Sequence, residues 1–287
     1  MNNKSFKNLP VRKRFGQNFL VNNDILKQIA DKANLEPDDF VLEIGPGHGA
    51  LTEKLIEKSK QVVAVEIDRD LVNALTQKFK NEPKLNIVSQ DILELDFNQL
   101  PLEKYNFENR KAIGNIPYYI TTPIIMKMID EENLKQYGIS KTTQIFSELI
   151  IMLQKEVGER LLAKPGTKEY GALTVISQYA CNITPLLIVD RKSFFPAPKV
   201  DSMVVSLKMK TEDEYKIHSP EIFWRIIHGV FTSRRKTLRN SLKIAKFTPQ
   251  QIDKIAGTFD LGIRGETMDI SSFAELSNTI ALTEYST

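Results

Sequence analysis

Val41-Leu42-Glu43-Ile44-Gly45-Pro46-Gly47-His48-Gly49-Ala50-Leu51-Thr52 is the stretch of sequence that decides the fold. An apolar run of strand length leads into three glycines at alternate positions, and Leu51, Leu55 and Ile56 then follow at helical spacing. The pattern predicts a buried strand, a tight turn and an amphipathic helix. Because glycine has no Cβ, such a turn brings bare backbone against a ligand.

The glycine spacing leaves two classes of ligand open. It matches the G-x-G-x-x-A fingerprint of dinucleotide-binding folds and also the looser glycine pattern of enzymes that use S-adenosylmethionine (SAM). Glu43 favours the second class, because a carboxylate just before the loop repels a pyrophosphate but can accompany a cationic sulfonium or amino group.

Length and composition restrict the class of protein. The chain has 287 residues, 41% hydrophobic and 26% charged, which suffices for one α/β domain with a sizeable core and a small second domain. No apolar run reaches the ~18 to 20 residues of a membrane span. The start, Met1–Pro10, lacks a hydrophobic signal core, so we expect a cytoplasmic protein without a membrane partner. The single cysteine, Cys181, excludes an intrachain disulfide, and with only three histidines we predict no metal site.

Positive charge is concentrated towards both ends of the chain. The formal net charge is only +3, yet residues 222–252 contain no acidic residue. The two basic clusters consist of Lys4, Lys7, Arg12, Lys13 and Arg14 near the start, and Arg225, Arg234, Arg235, Lys236, Arg239, Lys243 and Lys246 near the end. A solvated helix face normally mixes both signs, so the unbroken sign predicts surfaces that bind the phosphates of a nucleic acid.

Two further predicted strands end in carboxylates. Gln61–Glu66 is predicted to be a buried strand closed by Glu66, about 20 residues past the glycines, where this class of turn places a ribose-binding acid. Asn86–Asp91 is predicted to be a third strand, and Asp91 at its end can accept a hydrogen bond from an adenine amine. Acids at strand ends are common, but three successive strand ends with ligand-type groups predict a binding site at the carboxyl edge of an open sheet.

Asn115-Ile116-Pro117-Tyr118 follows the fourth predicted strand and carries the most specific chemistry. An adenine amine is a weak nucleophile because its lone pair is delocalised into the ring, so an enzyme that methylates it must hold both N–H groups. The Asn115 side-chain oxygen and the Ile116 carbonyl are two suitable acceptors. Pro117 stiffens the loop, and Tyr118 offers a face on which a flipped base can stack. The structural alternative is an Asn-Pro turn with a core tyrosine.

The remaining segments complete a sheet of about seven strands. Further strands are predicted at Leu149–Lys155, Leu186–Val189 and Ser202–Met209. Between the last two strands, the prolines of Phe194–Ser202 predict an extended, exposed loop that carries aromatic rings. One of these rings would close a sandwich around a base with Tyr118.

A polar break at Thr211–Glu214 is predicted to separate two domains. Residues 1–210 form the α/β domain, and residues 211–287 form an all-helical, basic domain with helices that begin at Ser219, Pro249 and Ser271 or Ser272. The polar stretch Asp130–Gln144 is predicted to be a surface excursion within the first domain.

In this order the motifs resemble those of the ribosomal RNA adenine dimethyltransferases, specifically the bacterial small-subunit family. The resemblance covers nearly the whole chain. It rests on Gln17–Leu20, Glu43–Thr52, Glu66, Asp91, Asn115–Tyr118, Phe194–Ser202 and Arg234–Leu242, the last of which is predicted to be helical.

The resemblance implies a fold and an activity. The expected fold is α/β, with a seven-stranded Rossmann-like SAM methyltransferase domain and a small all-helical C-terminal domain that binds RNA. The expected activity is the SAM-dependent N6,N6-dimethylation of two adjacent adenines near the 3′ end of 16S rRNA, in the pre-30S small ribosomal subunit. Methyl transfer would be a direct in-line displacement that depends on positioning and needs neither a dedicated base nor a metal. Nothing in the sequence demands more than a monomer.

The resemblance also assigns roles to individual residues. The cofactor-binding positions fall on Asn18, Leu20, Gly45, Glu66, Asp91 and Asn115. The catalytic positions are Asn115, Pro117 and Tyr118, which orient and stack the target adenine, and Phe194 as the opposing ring. The predicted RNA contacts are Arg234, Arg235, Lys236 and Arg239.

Three other functions are weighed against this one. Large-subunit rRNA dimethyltransferases share the catalytic motifs, but the Arg-Arg-Lys-Thr-Leu-Arg-Asn segment is typical of the small-subunit family. A ribosome-assembly or transcription factor that has kept the fold and lost catalysis is disfavoured by the intact Asn115–Tyr118, Glu66 and Asp91. A NAD-dependent dehydrogenase is disfavoured because the sequence shows no hydride-transfer constellation and has a basic tail.

Overall fold

The computed structural model of the chain describes residues 17–129, 145–212 and 214–284. Two predicted features lie outside the described residues: the basic cluster Lys4–Arg14 near the start and the surface excursion Asp130–Gln144. The predicted ligand-facing motifs Glu43–Thr52, Glu66, Asp91, Asn115–Tyr118 and Phe194–Ser202 lie within the described residues.

Strands and helices alternate through the first half of the chain, and within the described residues only helical elements follow the last strand. The strands are β1 (Phe19–Leu20), β2 (Phe40–Ile44), β3 (Gln61–Glu66), β4 (Leu85–Ser89), β5 (Arg110–Asn115), β6 (Glu148–Gln154), β7 (Cys181–Val189), β8 (Phe194–Phe195) and β9 (Ser202–Met209). The α-helices are α1 (Asn23–Lys32), α2 (Ala50–Lys58), α3 (Arg69–Lys78), α4 (Thr121–Ile129), α5 (Lys155–Leu161), α6 (Ala172–Ala180), α7 (Pro220–Thr232), α8 (Leu238–Ile244), α9 (Pro249–Ile255) and α10 (Ile270–Glu284).

The main sheet has seven strands in the order β4-β3-β2-β5-β6-β9-β7. Strands β4, β3, β2, β5 and β6 are parallel to one another, and β9 is antiparallel to β6. The predicted seven-stranded α/β fold is therefore confirmed. Strand β2 lies between β3 and β5, where the chain order of the strands reverses, and open α/β sheets bind their ligands at such a switch point.

The glycine loop after β2 requires glycine for conformational reasons. All five residues of β2 are buried, and Gly45, Gly47 and Gly49 then adopt φ values of 68°, 57° and 75°, which residues with a Cβ rarely adopt. A Cβ on Gly49 would also lie 2.7 Å from the Phe79 ring. The loop can therefore lie close to the sheet edge and turn directly into α2.

Two compact units are present, and each has a core of its own. The first consists of the described residues up to Met128 together with Ile145–Gly158 and Ile183–Met209. The second contains Glu159–Asn182 and the residues from Lys210 onward, and its core includes a cluster of the aromatic rings Tyr179, Tyr215, Phe223 and Trp224. Because Glu159–Asn182 groups with the C-terminal helices, the division into domains 1–210 and 211–287 stays a prediction from chain order.

Two predictions about local structure are wrong. Strand β7 begins at Cys181, five residues before the predicted start at Leu186. It is the last strand of the sheet and mostly half-buried or exposed, and it contains Pro185, which edge strands tolerate, so its pattern does not stand out. Arg234–Lys236 lies in a turn rather than a helix, since α8 begins only at Leu238.

In the described part of the chain, no helix combines the length and the apolar character that spanning a bilayer requires.

Glu43 lies in β2 with only 1% of its surface exposed. Its Oε2 atom has no hydrogen-bond partner among the described residues. Burial raises the pKa of Glu43 to about 8, and the nearby Thr52 hydroxyl offsets only part of that rise. The carboxyl group therefore favours the protonated state in the folded protein.

Replacing Glu43 with Gln should flatten the pH dependence of stability. The folded-state pKa of about 8 lies above the ordinary value of 4.5, so the folded protein binds more protons between these values and stability falls as pH rises through this window. For one such group the slope is at most about 1.4 kcal/mol per pH unit. Denaturant unfolding at pH 5.5 and pH 8 should show that the free energy of unfolding falls in the wild type and falls less in Glu43→Gln. An equal fall in both proteins would contradict a raised pKa for Glu43.

Candidate active site

A cleft opens at the carboxyl ends of β2, β3 and β5, within the first unit. Its lining includes Gln17, Asn18, Phe19, Gly45, Gly47, Glu66, Ile67, Gln90, Asp91, Ile92, Asn115, Ile116, Pro117, Tyr118 and Tyr119. Five of the six predicted cofactor positions and three of the four predicted catalytic positions are therefore brought together in one cleft; the exceptions are Leu20 and Phe194. Their roles stay predictions.

Glu66 connects the end of β3 to the glycine loop. Its Oε2 accepts a hydrogen bond from the Gly47 N–H at 3.3 Å, and its Oε1 accepts one from the Asp68 N–H at 2.9 Å. Burial raises its pKa, although these backbone bonds act in the opposite direction. Each carboxylate oxygen has a second lone pair, so Glu66 can also accept hydrogen bonds from two adjacent hydroxyl groups of a ligand.

Glu66 also separates the two classes of ligand that the glycine loop leaves open. A dinucleotide site offers backbone N–H groups of this loop to a pyrophosphate. Here the Gly47 N–H is taken by Glu66, whose carboxylate lies at the same edge of the cleft. The donor and acceptor set therefore fits a nucleoside better than it fits a diphosphate.

Asp91 lies two residues beyond the end of β4, in the turn that leads away from the sheet. One of its carboxylate oxygens, Oδ1, accepts a hydrogen bond from the Leu93 N–H at 2.9 Å and so fixes the turn. Ile92, which is buried beside it, also lines the cleft. An acceptor next to an apolar side chain suits an adenine, whose exocyclic amine donates while its ring packs on carbon.

Asn115 is held in one orientation at the end of β5. Its Nδ2 donates a hydrogen bond to the Asn18 carbonyl at 3.0 Å. Since only the amide nitrogen can donate, this bond also fixes where Oδ1 lies. No described residue donates a hydrogen bond to Oδ1, so this atom remains an acceptor for a ligand at the cleft wall.

Tyr118 is anchored through its hydroxyl group. Pro117 precedes it with an extended ψ of 133°, and a single 3-10 turn, Tyr118–Ile120, follows. The Tyr118 hydroxyl and the Ser202 hydroxyl form a hydrogen bond of 2.9 Å, and burial raises the pKa of the phenol. The ring is therefore fixed from its far end. Sequence analysis missed Ser202 because nothing local connects it to a residue 84 positions earlier.

The segment Gln17–Leu20 connects several parts of the cleft, and sequence analysis gave it too small a role. The Gln17 side chain donates to Asp68, and the Phe19 ring lies 4.1 Å from the His48 ring between centroids. Strand β1 also pairs with β8. The only sequence signal for these contacts is the succession of two amide residues and an aromatic residue, Gln17-Asn18-Phe19.

Leu20 and Phe194 are not among the residues that line the cleft. The Leu20 side chain packs in the core, and its role in cofactor binding stays a prediction. The prediction that Phe194 is an exposed ring is wrong, since it is 4% exposed and packs in the same core, where its pairing with Leu20 turns it inward. The neighbouring Phe195 is the exposed ring, at 66%.

The predicted RNA contacts belong to the second unit and divide into two kinds. The guanidinium of Arg234 binds Glu266 and the carbonyls of Thr167 and Lys168, so the structure does not present it as a free phosphate contact. Arg239 forms an exposed ion pair of 3.0 Å with Asp253, which is of little energetic weight. The two remaining positions, Arg235 and Lys236, are exposed.

Comparisons with known sequences agree with the geometry. The profile of the family described as "Ribosomal RNA adenine dimethylase" matches residues 8–281. A Clostridium acetobutylicum protein named ribosomal RNA small subunit methyltransferase A is 40% identical over 275 residues, which cover 95% of each chain. The Geobacter metallireducens protein of the same name is 42% identical over 274 residues, which cover 94% of this chain and 95% of the relative.

Solved structures show the same similarity over most of the chain. A dimethyladenosine transferase from Plasmodium falciparum superposes with a TM-score of 0.74 at 26% identity, covering 93% of this chain and 97% of that one. The 23S rRNA methyltransferase ErmE superposes with a TM-score of 0.64 at 26% identity, covering 93% and 98%. The match over almost the full length, together with the arrangement of Asn115, Glu66 and Asp91 in one cleft, shows that the chain belongs to the ribosomal RNA adenine dimethylase family.

Proposed function

We propose that the chain transfers methyl groups from SAM to the N6 atoms of two adjacent adenines near the 3′ end of 16S rRNA. The observation that carries the proposal is the fixed Asn115 amide, whose Oδ1 is available at the wall of a cleft that also contains Glu66 and Asp91. The family is one of rRNA adenine dimethylases, and SAM is its methyl donor.

The residues at the end of β5 prepare the adenine for attack. Asn115 Oδ1 and the Ile116 carbonyl accept hydrogen bonds from the two N–H groups of the adenine amine. These bonds raise the electron density on the amine nitrogen. They also favour a pyramidal nitrogen, whose lone pair is less delocalised into the ring and therefore more nucleophilic. The Tyr118 ring, held by Ser202, provides the surface on which the base stacks. Bound SAM supplies a methyl group made electrophilic by its sulfonium.

The hydrogen-bonding capacity of the cleft supports the proposed cofactor positions. Glu66 would hold the two ribose hydroxyls of SAM, and Asp91 would accept from its adenine amine, while Ile92 would pack against the ring. Gly45 and Asn18 also line the cleft, and their backbone groups would suit the methionine part. Glu43, in contrast, is buried below the loop and is not among the lining residues, so its expected role as a companion for the cation is not carried further.

The biological setting is part of the same proposal. The relatives from Clostridium acetobutylicum and Geobacter metallireducens are both named small subunit methyltransferases, and their identity of 40% and 42% supports the small-subunit substrate. We infer that the chain acts as a monomer on pre-30S subunits in the cytoplasm, and that Arg235 and Lys236 contact the rRNA backbone.

A large-subunit substrate is the second candidate, because ErmE, a 23S rRNA methyltransferase, superposes over 93% of the chain. Incubating the protein with labelled SAM and either undermethylated small subunits or large subunits, followed by mapping of the modified base, separates the two. Label on N6 of adenines in 16S rRNA is the expected result. Label confined to the large subunit would contradict the proposal.

Replacing Asn115 with Ala should abolish methyl transfer while RNA binding persists. The variant lacks the acceptor for the adenine amine, and the loss of one such group typically lowers kcat by about 100-fold or more. The same substitution at Asn73, which is exposed on α3, is the matched control and should leave turnover unchanged. Wild-type turnover of Asn115→Ala would remove the residue from the mechanism.

Replacing Glu66 with Gln should weaken SAM binding. The amide presents N–H groups towards the Gly47 or Asp68 N–H, so both the loop contact and the acceptance from ribose hydroxyls are impaired. The loss of a charged hydrogen bond of about 1.5 to 3 kcal/mol corresponds to a dissociation constant about 10 to 100 times higher. Calorimetry measures this directly, with exposed Glu57→Gln as control. Unaltered affinity would contradict the ribose assignment.

A further inference from the structure

Arg234 is bound on all three of its guanidinium nitrogens by groups of the second unit. Nε donates to Glu266 Oε2 at 2.7 Å, Nη1 donates to the Lys168 carbonyl at 2.5 Å, and Nη2 donates to the Thr167 carbonyl at 3.0 Å. Arginine can satisfy three acceptors at once because its donors are arranged in a rigid plane, whereas the single ammonium of lysine cannot do so in the same geometry. The side chain is therefore fixed in place, with its charge largely balanced by Glu266.

The carbonyls that Arg234 binds belong to a basic loop, Lys164–Lys168. The same loop is held from a second side, because the Gly166 N–H donates to the Glu266 carbonyl at 2.9 Å. Gly166 has a φ of 80°, which favours glycine at the turn, and the Thr167 hydroxyl donates to the Lys164 carbonyl at 2.7 Å. Five exposed residues are thus held in a defined shape by two residues that are distant in sequence.

The loop and the turn after Arg234 present cations that have no ion-pair partner among the described residues. Lys164 and Lys168 are exposed, as are Arg235 and Lys236, which directly follow Arg234 in its turn. No described residue forms an ion pair with any of these four side chains. In contrast, Arg239 already has a carboxylate partner, and the Arg225 guanidinium lies over the Phe247 ring while it donates to backbone carbonyls.

We propose that Arg234 is a positioning residue and that the surface formed by Lys164, Lys168, Arg235 and Lys236 binds the phosphates of rRNA. The inference rests on the proposed function, since it names the RNA-contacting groups of the same enzyme. Four exposed cations without an ion-pair partner among the described residues lie on two turns that Arg234 connects, and they match a backbone with regularly spaced negative charge. Arg234 contributes by binding the Thr167 and Lys168 carbonyls of the loop.

Two variants of the Arg234 contact test the positioning role, with binding to undermethylated small subunits measured over a range of KCl concentrations. Arg234→Lys keeps the charge but loses the three directed bonds, so affinity should fall by about tenfold. Glu266→Gln removes the carboxylate that competes with phosphate for Arg234.

If Arg234 were itself the phosphate contact, Glu266→Gln would release its guanidinium and strengthen RNA binding. If Arg234 positions the loop, RNA binding weakens. Unchanged or tighter binding by Glu266→Gln overturns the proposal.

The double variant Lys164→Ala and Lys168→Ala tests the surface directly. It should lower the slope of log K against log[salt] by about 2, because each phosphate contact contributes about 0.9. Its matched control is Lys27→Ala with Lys80→Ala, which removes the same charge from exposed positions of the first unit and should leave the slope nearly unchanged. Equal slopes for the two double variants would overturn the proposal.

Calorimetry of SAM binding checks that each variant keeps its cofactor site, and thermal unfolding checks that it keeps its fold. If Arg234→Lys fails to fold, the lysine double variant still tests whether the surface binds rRNA. The proposed function fails separately, when the wild-type protein transfers no methyl group to small subunits.

Discussion

The hydrogen bond from Asn115 Nδ2 to the Asn18 carbonyl fixes the Asn115 amide at the wall of the cleft, and the chemistry that we propose depends on it. An amide that could rotate would offer its donor and its acceptor alternately to an adenine amine, and only the acceptor is useful there. The bond settles the orientation and ties the end of β5 to the segment that contains Phe19. That segment in turn stacks on His48 of the glycine loop and pairs with β8. The Asn115 acceptor and the glycine loop are therefore parts of one connected structure.

The glycine loop brings bare backbone close to the sheet edge, while its Gly47 N–H is already bonded to Glu66. Its positive φ angles allow the tight turn, while the bond from the Gly47 N–H to Glu66 occupies a donor that a pyrophosphate would need. The same kind of fold serves dinucleotides or SAM, so the glycine spacing alone does not decide the ligand. In this chain the occupied Gly47 N–H leaves a weaker anion site than a pyrophosphate would need.

The sheet and most of the cleft could be predicted from the sequence, because both depend on local signals. The apolar run before Gly45 and the acids Glu66 and Asp91 each follow directly from a strand and its end. The errors concern contacts between distant segments. The composition of the Phe194–Ser202 loop predicts an exposed ring at Phe194, but the pairing of β8 with β1 places that ring in the core. The RNA contact predicted for Arg234 stays a prediction, but its charge does not reveal that Glu266 and two loop carbonyls take up its donors. A charge count cannot reveal such partners.

A crystal structure of the protein with adenosine and S-adenosylhomocysteine bound together tests the central claim most directly. The adenosine amine should lie about 2.7 to 3.2 Å from Asn115 Oδ1, with its ring stacked on Tyr118, and the Asn115 Nδ2 bond to the Asn18 carbonyl should remain. An adenine amine bound elsewhere in the cleft, or an Asn115 amide turned away from Asn18, would contradict the role assigned to this residue.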